Sequence, residues 1–523
     1  MKARVVLLNL YYTGHRFPSL ASGTLRCWAL ADKDLAAAVA LDFCDAFTEE
    51  SPGIIAERIA EQRPHVAGFS CYVWNINATL AVARELKRLL PDTHVLLGGP
   101  EAGGLARQIL ESTPEIDFVA TGEGEETFRL LLRALFLGYG DIASVPGLAR
   151  RDGGRVIIEP EPSLIDLACA SSPYLGGHVF IPRDSVFMVL ETSRGCPFAC
   201  SFCDWGPRKM RYLGLQRIEE EFRFVLEHTS FVITNDADIL TDRARAVAIM
   251  EAFLRAARGR PAVLAVETNP VHLRPEIVDF VAQAPGNFFF AFGLQSISPH
   301  VNKIIGRPFN LDALEARLAY FKSRCPSVKT HFSLIYGLPG DSLRGYKETL
   351  EWALKYRPTR FGLNQCLALP GSELAGKAHD FGLEVENGAP HRVLSTPAMT
   401  ANDVKEARRI SSLVLFVFHL PPLRERFLSS YPAQMDGQIL PLLNGWERFL
   451  IKIGIRIETC ARFDQALEFP VESGELNARE FQRDPIKLAA IMKATDIFLG
   501  KEGRNNFRKA LSAASAQVDR ITA

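Results

Sequence analysis

The sequence lacks an excess of charge of either sign. Lys plus Arg and Asp plus Glu number 60 each in 523 residues, so the formal net charge is zero and the pI is near 7.2. A balanced chain has no basic field to attract nucleic acid or anionic lipid, which argues for a small-molecule or peptide partner, with no nucleic acid and no membrane. Long hydrophobic runs are also missing; none approaches the roughly 20 residues that span a bilayer. The amino-terminal Met1-Lys-Ala-Arg-Val-Val-Leu-Leu-Asn-Leu has an apolar core shorter than that of a secretion signal and reads as a first strand. We therefore expect a soluble, cytoplasmic protein. Internal repeats and low-complexity tracts are absent. Cysteine is sparse, at 10 residues, and seven of these (Cys27, Cys44, Cys71, Cys169, Cys325, Cys366, Cys460) stand singly among apolar neighbours, as core thiols of a reducing compartment do.

The other three are crowded together. Glu191-Thr-Ser-Arg-Gly-Cys-Pro-Phe-Ala-Cys-Ser-Phe-Cys-Asp-Trp-Gly206 holds Cys196, Cys200 and Cys203, with no fourth cysteine close behind. A structural zinc site asks for four protein ligands, and neither a second Cys-x-x-Cys nor a paired histidine motif follows. Thiolates suit iron–sulfur clusters, and three thiolates on four irons leave one iron open to another ligand.

Length and periodicity divide the α/β chain into parts. Over residues 1–140, short apolar runs (Val5–Leu10, Ala37–Asp42, Val66–Ser70, Val95–Gly99, Phe118–Gly122) alternate with amphipathic stretches such as Thr79–Leu90. That alternation predicts a doubly wound parallel sheet with helices on both faces. Residues 141–185, rich in Gly and Pro, read as a connector containing a small hairpin. Residues 186–400 offer six further strands, near Phe187–Thr192, Phe231–Asn235, Ala262–Thr268, Phe288–Gly293, Thr330–Gly337 and Phe361–Gln365, which suggest a partial barrel. Residues 401–523 carry helix-period sequence and predict a helical C-terminal domain.

The Cys-x-x-x-Cys-x-x-Cys spacing on the first loop of a partial, TIM-type (β/α)6 barrel, in the form Arg194-Gly-Cys-Pro-Phe-Ala-Cys-Ser-Phe-Cys203, resembles the radical S-adenosylmethionine (SAM) enzymes. The resemblance implies a [4Fe-4S] cluster on the three cysteines and S-adenosyl-L-methionine on the free iron, cleaved to a 5′-deoxyadenosyl radical. Further matches fall at strand ends. Asp236, in Asn235-Asp-Ala-Asp238, stands where the family holds the methionine amine, although the usual Gly-Gly-Glu is absent. Glu267 ends the third strand. Gln295 and Ser296 match residues that meet ribose and carboxylate, and Tyr336 and Gly337 begin a turn like the one that packs on adenine. Barrel chemistry gathers where the ends of several strands share one mouth.

The first region resembles the Rossmann-like cobalamin-binding domain joined to many of these enzymes. Ser70-Cys-Tyr72, Gly98-Gly-Pro-Glu-Ala-Gly-Gly104 and Thr121-Gly-Glu-Gly-Glu-Glu126 match its loops, which assigns Ser70, Tyr72, Gly98, Gly99, Glu101, Gly122 and Glu123 to cobalamin. Small residues there let the dimethylbenzimidazole tail slide along the backbone. The axial motif Asp-x-His-x-x-Gly is replaced by Thr13-Gly-His15-Arg-Phe-Pro18, which lacks the orienting aspartate. A base-off cobalamin with no protein axial ligand is implied. Trp74 has two readings, an indole against the lower face of the corrin or an aromatic plug between the sheet and the barrel. Trp205 reads as packing against the cluster.

Together the two resemblances imply a cobalamin-dependent radical SAM C-methyltransferase. It would move methyl from S-adenosylmethionine via methylcobalamin to an unactivated carbon of a natural-product scaffold, after hydrogen abstraction, with flavodoxin or ferredoxin as electron donor. A non-methylating cobalamin radical enzyme and an inactive cofactor-binding sensor remain open. The substrate is expected between the cofactor domains and under residues 400–523, near Arg360, Tyr336 and Gln365.

Overall fold

The computed structural model describes residues 2–11, 17–182, 185–205, 208–430, 439–452 and 485–499. Its first sheet is built from apolar runs buried on both faces, as a parallel sheet covered by helices requires. The strands are β1 (Ala3–Tyr11), β2 (Val39–Phe47), β3 (Val66–Ser70), β4 (His94–Gly98), β5 (Phe118–Ala120), β6 (Leu148–Asp152) and β7 (Arg155–Ile158), in the order β2-β1-β3-β4-β5-β6-β7. The first five are parallel. The order 2-1-3-4-5 reverses direction between β1 and β3, and ligands of such sheets bind in the crevice beyond the strand ends at that switch point.

Two expectations need revision. The run from Ala37 does not begin a strand: Lys33–Ala38 is helical, started by the Asp32 side chain, and β2 takes over at the β-branched Val39. The hairpin expected in the connector is β6–β7, turned by Gly153 and Gly154 at positive φ, but it does not stand apart. β6 pairs antiparallel with β5, so the first sheet continues to Ile158.

The second sheet comprises β8 (Met188–Leu190), β11 (Phe231–Thr234), β12 (Val263–Thr268), β13 (Phe288–Gln295), β14 (Lys329–Tyr336) and β15 (Arg360–Gln365). Between β8 and β11 lies a separate hairpin of β9 (Ser193–Cys196) and β10 (Arg208–Tyr212). The six barrel strands are parallel and adjacent in chain order, an open barrel. Alternation sends one set of side chains outward onto the helices and the other into the lumen. On β13, Phe290 and Phe292 are fully buried in the core outside the barrel, whereas Phe289, Ala291, Gly293 and Gln295 face the lumen.

The C-terminal residues that are described form helices Ala401–His419, Pro421–Ser430, Ile439–Lys452 and Pro485–Leu499. The first opens on a capping box between Thr400 and Asp403. It runs along the edge strand β15: Arg408 donates to Gln365 Oε1 at 2.8 Å near one end, and Phe418 packs edge-on against Phe361 near the other. Among the described residues no helix is long and apolar enough to cross a membrane.

Candidate functional site

The cysteine loop forms the tip of the β9–β10 hairpin, and three contacts fix it. Ser201 N–H donates to the Ile305 carbonyl at 3.0 Å, and Leu374 N–H to the Ser201 carbonyl at 2.7 Å. Gly306, at φ +70°, lies against the Ala199 carbonyl, where any Cβ would collide. The Phe198 ring stacks on His272, and the Arg307 guanidinium lies over the same ring, 5.3 Å from its centroid.

Cys196, Cys200 and Cys203 line one cavity of about 760 Å³. Burial raises the Cys196 thiol and pushes Cys203 up to about 11, so metal binding must displace protons from them. Among the described residues no three Cys, His, Asp or Glu converge as ligands of a single ion do. A cluster that offers a separate iron to each thiol suits this wider placement.

Asp236 lies in the same cavity wall, 2% exposed. Its Oδ1 accepts from Thr192 Oγ1 at 2.9 Å and from Ser193 Oγ, while Oδ2 is buried with no partner. Burial pushes this carboxyl up to about 7. An unpartnered carboxylate oxygen on a residue of the cavity wall fits an ammonium group. Asp238, two residues on, is fully used: it accepts from Thr268 Oγ1, Asn269 N–H and Leu240 N–H and meets His272 Nδ1 at 2.9 Å, so it builds the loop. Glu267 opens onto the cavity, yet the barrel wall desolvates it and raises its carboxyl. Gln295 also lines the cavity, with its backbone at φ +66°.

Several expected residues lie elsewhere. Ser296 is fully buried off the cavity, its Oγ accepting from Ser298 N–H and its carbonyl from Asn302. Tyr336 is 3% exposed and packs on Tyr346 at 5.4 Å, and Gly337 turns the chain behind the wall at φ +81°. Gln365 is held by Val393 and Arg408. Arg360 does line the cavity, but it starts β15 and so stands at the end of the barrel opposite the cysteine loop. Trp205 lines the cavity with 40% of its surface exposed.

Arg307 went unnoticed in the sequence. It donates to Cys200 Sγ at 3.4 Å and to the Gly293 carbonyl at 2.6 Å, which places a fixed cation beside one of the three thiols. The one local signal was the Gly306-Arg307 pair after a short helix. The three thiols, the orphan Asp236 oxygen and this guanidinium fit a cluster and an amino acid carrying both ammonium and carboxylate.

On the first sheet, loops beyond β3, β4 and β5 form the other face. Ser70 ends β3, and the next residues are pinned by Cys71 N–H to the Gly98 carbonyl at 2.7 Å and Asn75 Nδ2 to the Ser70 carbonyl at 2.9 Å. Gly99, at φ +94°, backs onto Cys71, whose carbonyl oxygen would be 2.5 Å from an added Cβ. Gly98 and Gly103 are open: an added Cβ there would meet nothing nearer than 3.9 and 3.7 Å. Tyr72 and Trp74 stack at 5.5 Å with rings 5° from parallel, beside the switch point. Open glycines and a flat aromatic pair at that position fit a planar macrocycle with a tail.

The acidic residues of these loops serve the domain junction instead. Glu101, 2% exposed, meets His391 Nε2 at 2.7 Å. Glu123 pairs with Arg194 at 3.1 Å and with Arg211, one arginine on each strand of the cysteine hairpin, and Glu125 meets Arg194 at 2.7 Å. Gly122, at φ +66°, is covered by the Glu161 carboxylate. His15 lies outside the described residues.

Comparison with known proteins agrees with this division. Residues 34–132 match the B12 binding domain and residues 190–353 the Radical SAM superfamily. The chain is 34% identical over 238 residues to the cobalamin-dependent radical SAM methyltransferase TokK of Streptomyces tokunonensis, covering 42% of this chain and 34% of TokK. It is 31% identical over 353 residues to the 2-(S-pantetheinyl)-carbapenam-3-carboxylate methyltransferase of Streptantibioticus cattleyicolor, covering 64% and 50%. The chain thus matches a third to a half of the length of these relatives. It is 23% identical over 436 residues to the anaerobic magnesium-protoporphyrin IX monomethyl ester cyclase of Rubrivivax gelatinosus, covering 79% and 75%. The fold matches that of the cobalamin-dependent radical enzyme OxsB, with TM-score 0.64 and 12% identity over 100% of this chain and 85% of OxsB. With a B12-binding domain joined to a radical SAM domain that presents three cysteines, the chain belongs to the cobalamin-dependent radical S-adenosylmethionine enzymes.

Proposed function

We propose that the chain is a C-methyltransferase that carries methyl from S-adenosylmethionine, by way of cobalamin, to an unactivated carbon of a small molecule. The observation that carries this reading is the junction: Glu123, in a loop of the cobalamin-binding domain, engages both strands of the hairpin that bears the cysteines. Two cofactor loops held together in this way can serve one substrate. When bound, the cluster and S-adenosylmethionine would supply a carbon radical and the cobalamin a methyl carrier.

The protein's own part is holding and orienting. The three thiolates hold the cluster; the Asp236 Oδ2 receives an ammonium; Arg307 offers a guanidinium to a carboxylate while steadying Cys200. Tyr72 and Trp74 present a flat apolar surface that keeps water from a macrocycle laid on it. A base-off cobalamin without a protein axial ligand belongs to this proposal, as does a one-electron donor of the flavodoxin or ferredoxin class.

The test is anaerobic reconstitution with iron, sulfide and cobalamin, followed by product analysis with S-adenosylmethionine under strong reductant. Formation of both 5′-deoxyadenosine and S-adenosylhomocysteine is expected, with both lost in Cys200→Ala. The likeness to the cyclase over most of the chain favours one second reading, a radical enzyme that does not methylate. 5′-Deoxyadenosine alone, with cobalamin bound, would select it.

A further inference from the structure

TIM-type barrels fill their lumen with layers of bulky branched side chains. This lumen is hollow in its middle. Neighbouring rows of the ladder read Ile233–Ala265–Phe289–Lys329, then Glu267–Ala291–His331–Arg360, then Gly293–Ser333–Gly362. Ala265, Ala291 and Gly293 leave room where branched residues would stand.

The charges around this space are segregated. Among the described residues that line the cavity, the carboxylates are Asp236, Asp238 and Glu267, all near the carboxyl ends of β11 and β12. The opposite wall, at the amino ends of β14 and β15, presents Lys329 and Arg360, and the helix Pro421–Ser430 adds Arg424. Arg424 donates to the Thr359 carbonyl at 3.0 Å and to the exposed Glu425 at 3.1 Å, which anchors its fork at the cavity edge.

His419 ends the preceding helix beside these cations, and both its ring nitrogens are buried without a partner. Burial, with Arg360, His331 and Arg424 nearby, holds it neutral at about 3, and His331, bonded to Ser333 Oγ at 3.1 Å, is pushed down to about 4. A neutral imidazole still carries one N–H donor. Lys329, Arg360 and Arg424 set a positive potential along this wall, and the His419 ring lies buried beside them, so this end of the hollow favours negative charge.

We infer that this wall binds the anionic group, a carboxylate or a phosphate, of a small-molecule substrate whose remaining atoms fill the hollow lumen. Arg360 supplies a planar guanidinium suited to either oxyanion, Arg424 and Lys329 add positive charge at the cavity edge, and His419 donates. Phe231, Phe289 and Phe418 give the rest of the molecule an apolar bed. The C-terminal helices thereby gain a role, since they supply Phe418, His419 and Arg424. The inference rests on reading the cavity as the substrate pocket and names the substrate class.

The test is calorimetric titration of the full-length, cluster-reconstituted protein with inorganic pyrophosphate and, separately, with glutarate, at constant ionic strength. One saturable site is expected for at least one probe. Arg360→Gln and Arg424→Gln should each weaken it roughly tenfold or more, and Arg424→Lys should restore part of the loss. Arg255→Gln, which removes an exposed cation from an outer helix, should leave it unchanged. Preference for pyrophosphate would assign a phosphorylated substrate, and preference for glutarate a carboxylate. Absence of saturable binding, or binding that survives both arginine replacements, overturns the inference. Loss of S-adenosylmethionine cleavage with anion binding retained would sink the methyltransferase reading and leave this site standing.

Discussion

Asp236 allows one prediction to be worked through. Its carboxyl sits at about 7 in the folded chain because of burial, against an ordinary value of 3.8. Folding therefore raises the pKa, the folded state binds the extra proton, and stability must fall as pH rises between these two values. Between pH 5 and pH 8 the linkage relation gives a loss of about 2.6 kcal/mol from this one group. Asp236→Asn keeps an oxygen to accept from Thr192 and Ser193 but cannot ionise. The cost of burying its amide is the same at both pH values, so it cancels when the variant's advantage at pH 5 is subtracted from that at pH 8. Urea unfolding of the metal-free protein should show that difference as about 2–3 kcal/mol in favour of the variant. Parallel stability–pH curves for the two proteins would refute the argument, because they would mean that Asp236 ionises normally.

Three further outcomes follow from the geometry. Gly306→Ala places a methyl against the Ala199 carbonyl at positive φ, so it should destabilise by about 2–3 kcal/mol in urea and lower the iron bound per chain after reconstitution. Glu101→Ala leaves His391 facing a buried void and should cost about 1–3 kcal/mol, with weaker cobalamin retention on gel filtration. Arg307→Gln removes a cation beside Cys200, so the reconstituted cluster should become harder to reduce, by on the order of 100 mV in a potentiometric titration followed by paramagnetic resonance.

The six barrel strands were legible because parallel strands buried on both faces appear as apolar runs, and the observed elements fall within a few residues of those runs. The three cysteines were legible because their ligand spacing is local. The β9–β10 hairpin was not, since Ser193-Arg-Gly-Cys196 shows no apolar alternation and its arginines are satisfied by Glu123, 71 and 88 residues away. Distance in sequence hid the rest in the same manner. Arg307 lies 107 residues from Cys200, and His391 lies 290 residues from Glu101. Family likeness assigned Glu101 and Glu123 to a cofactor because it records which positions bear acids, whereas their partners depend on how two domains meet. The role of Phe418, His419 and Arg424 was equally invisible, because a helical pattern says which face is apolar and not what that face closes.

The Glu123 junction has a consequence for exchanging parts between relatives. Arg194, flanked by Glu123, Glu125 and Glu191, and Arg211, on Glu123 and the Ile165 carbonyl, take their counter-charges largely from the other domain or from the segment joining the two. A chimaera that grafts a foreign cobalamin-binding domain onto this barrel would inherit two half-buried arginines, Arg211 without its acid and Arg194 with Glu191 alone, unless the donor carries a Glu at the same loop position. Modules of this kind are thus exchangeable only as matched sets of one acidic loop and one basic hairpin, and a transplant should be cut so that the acid and both arginines travel together.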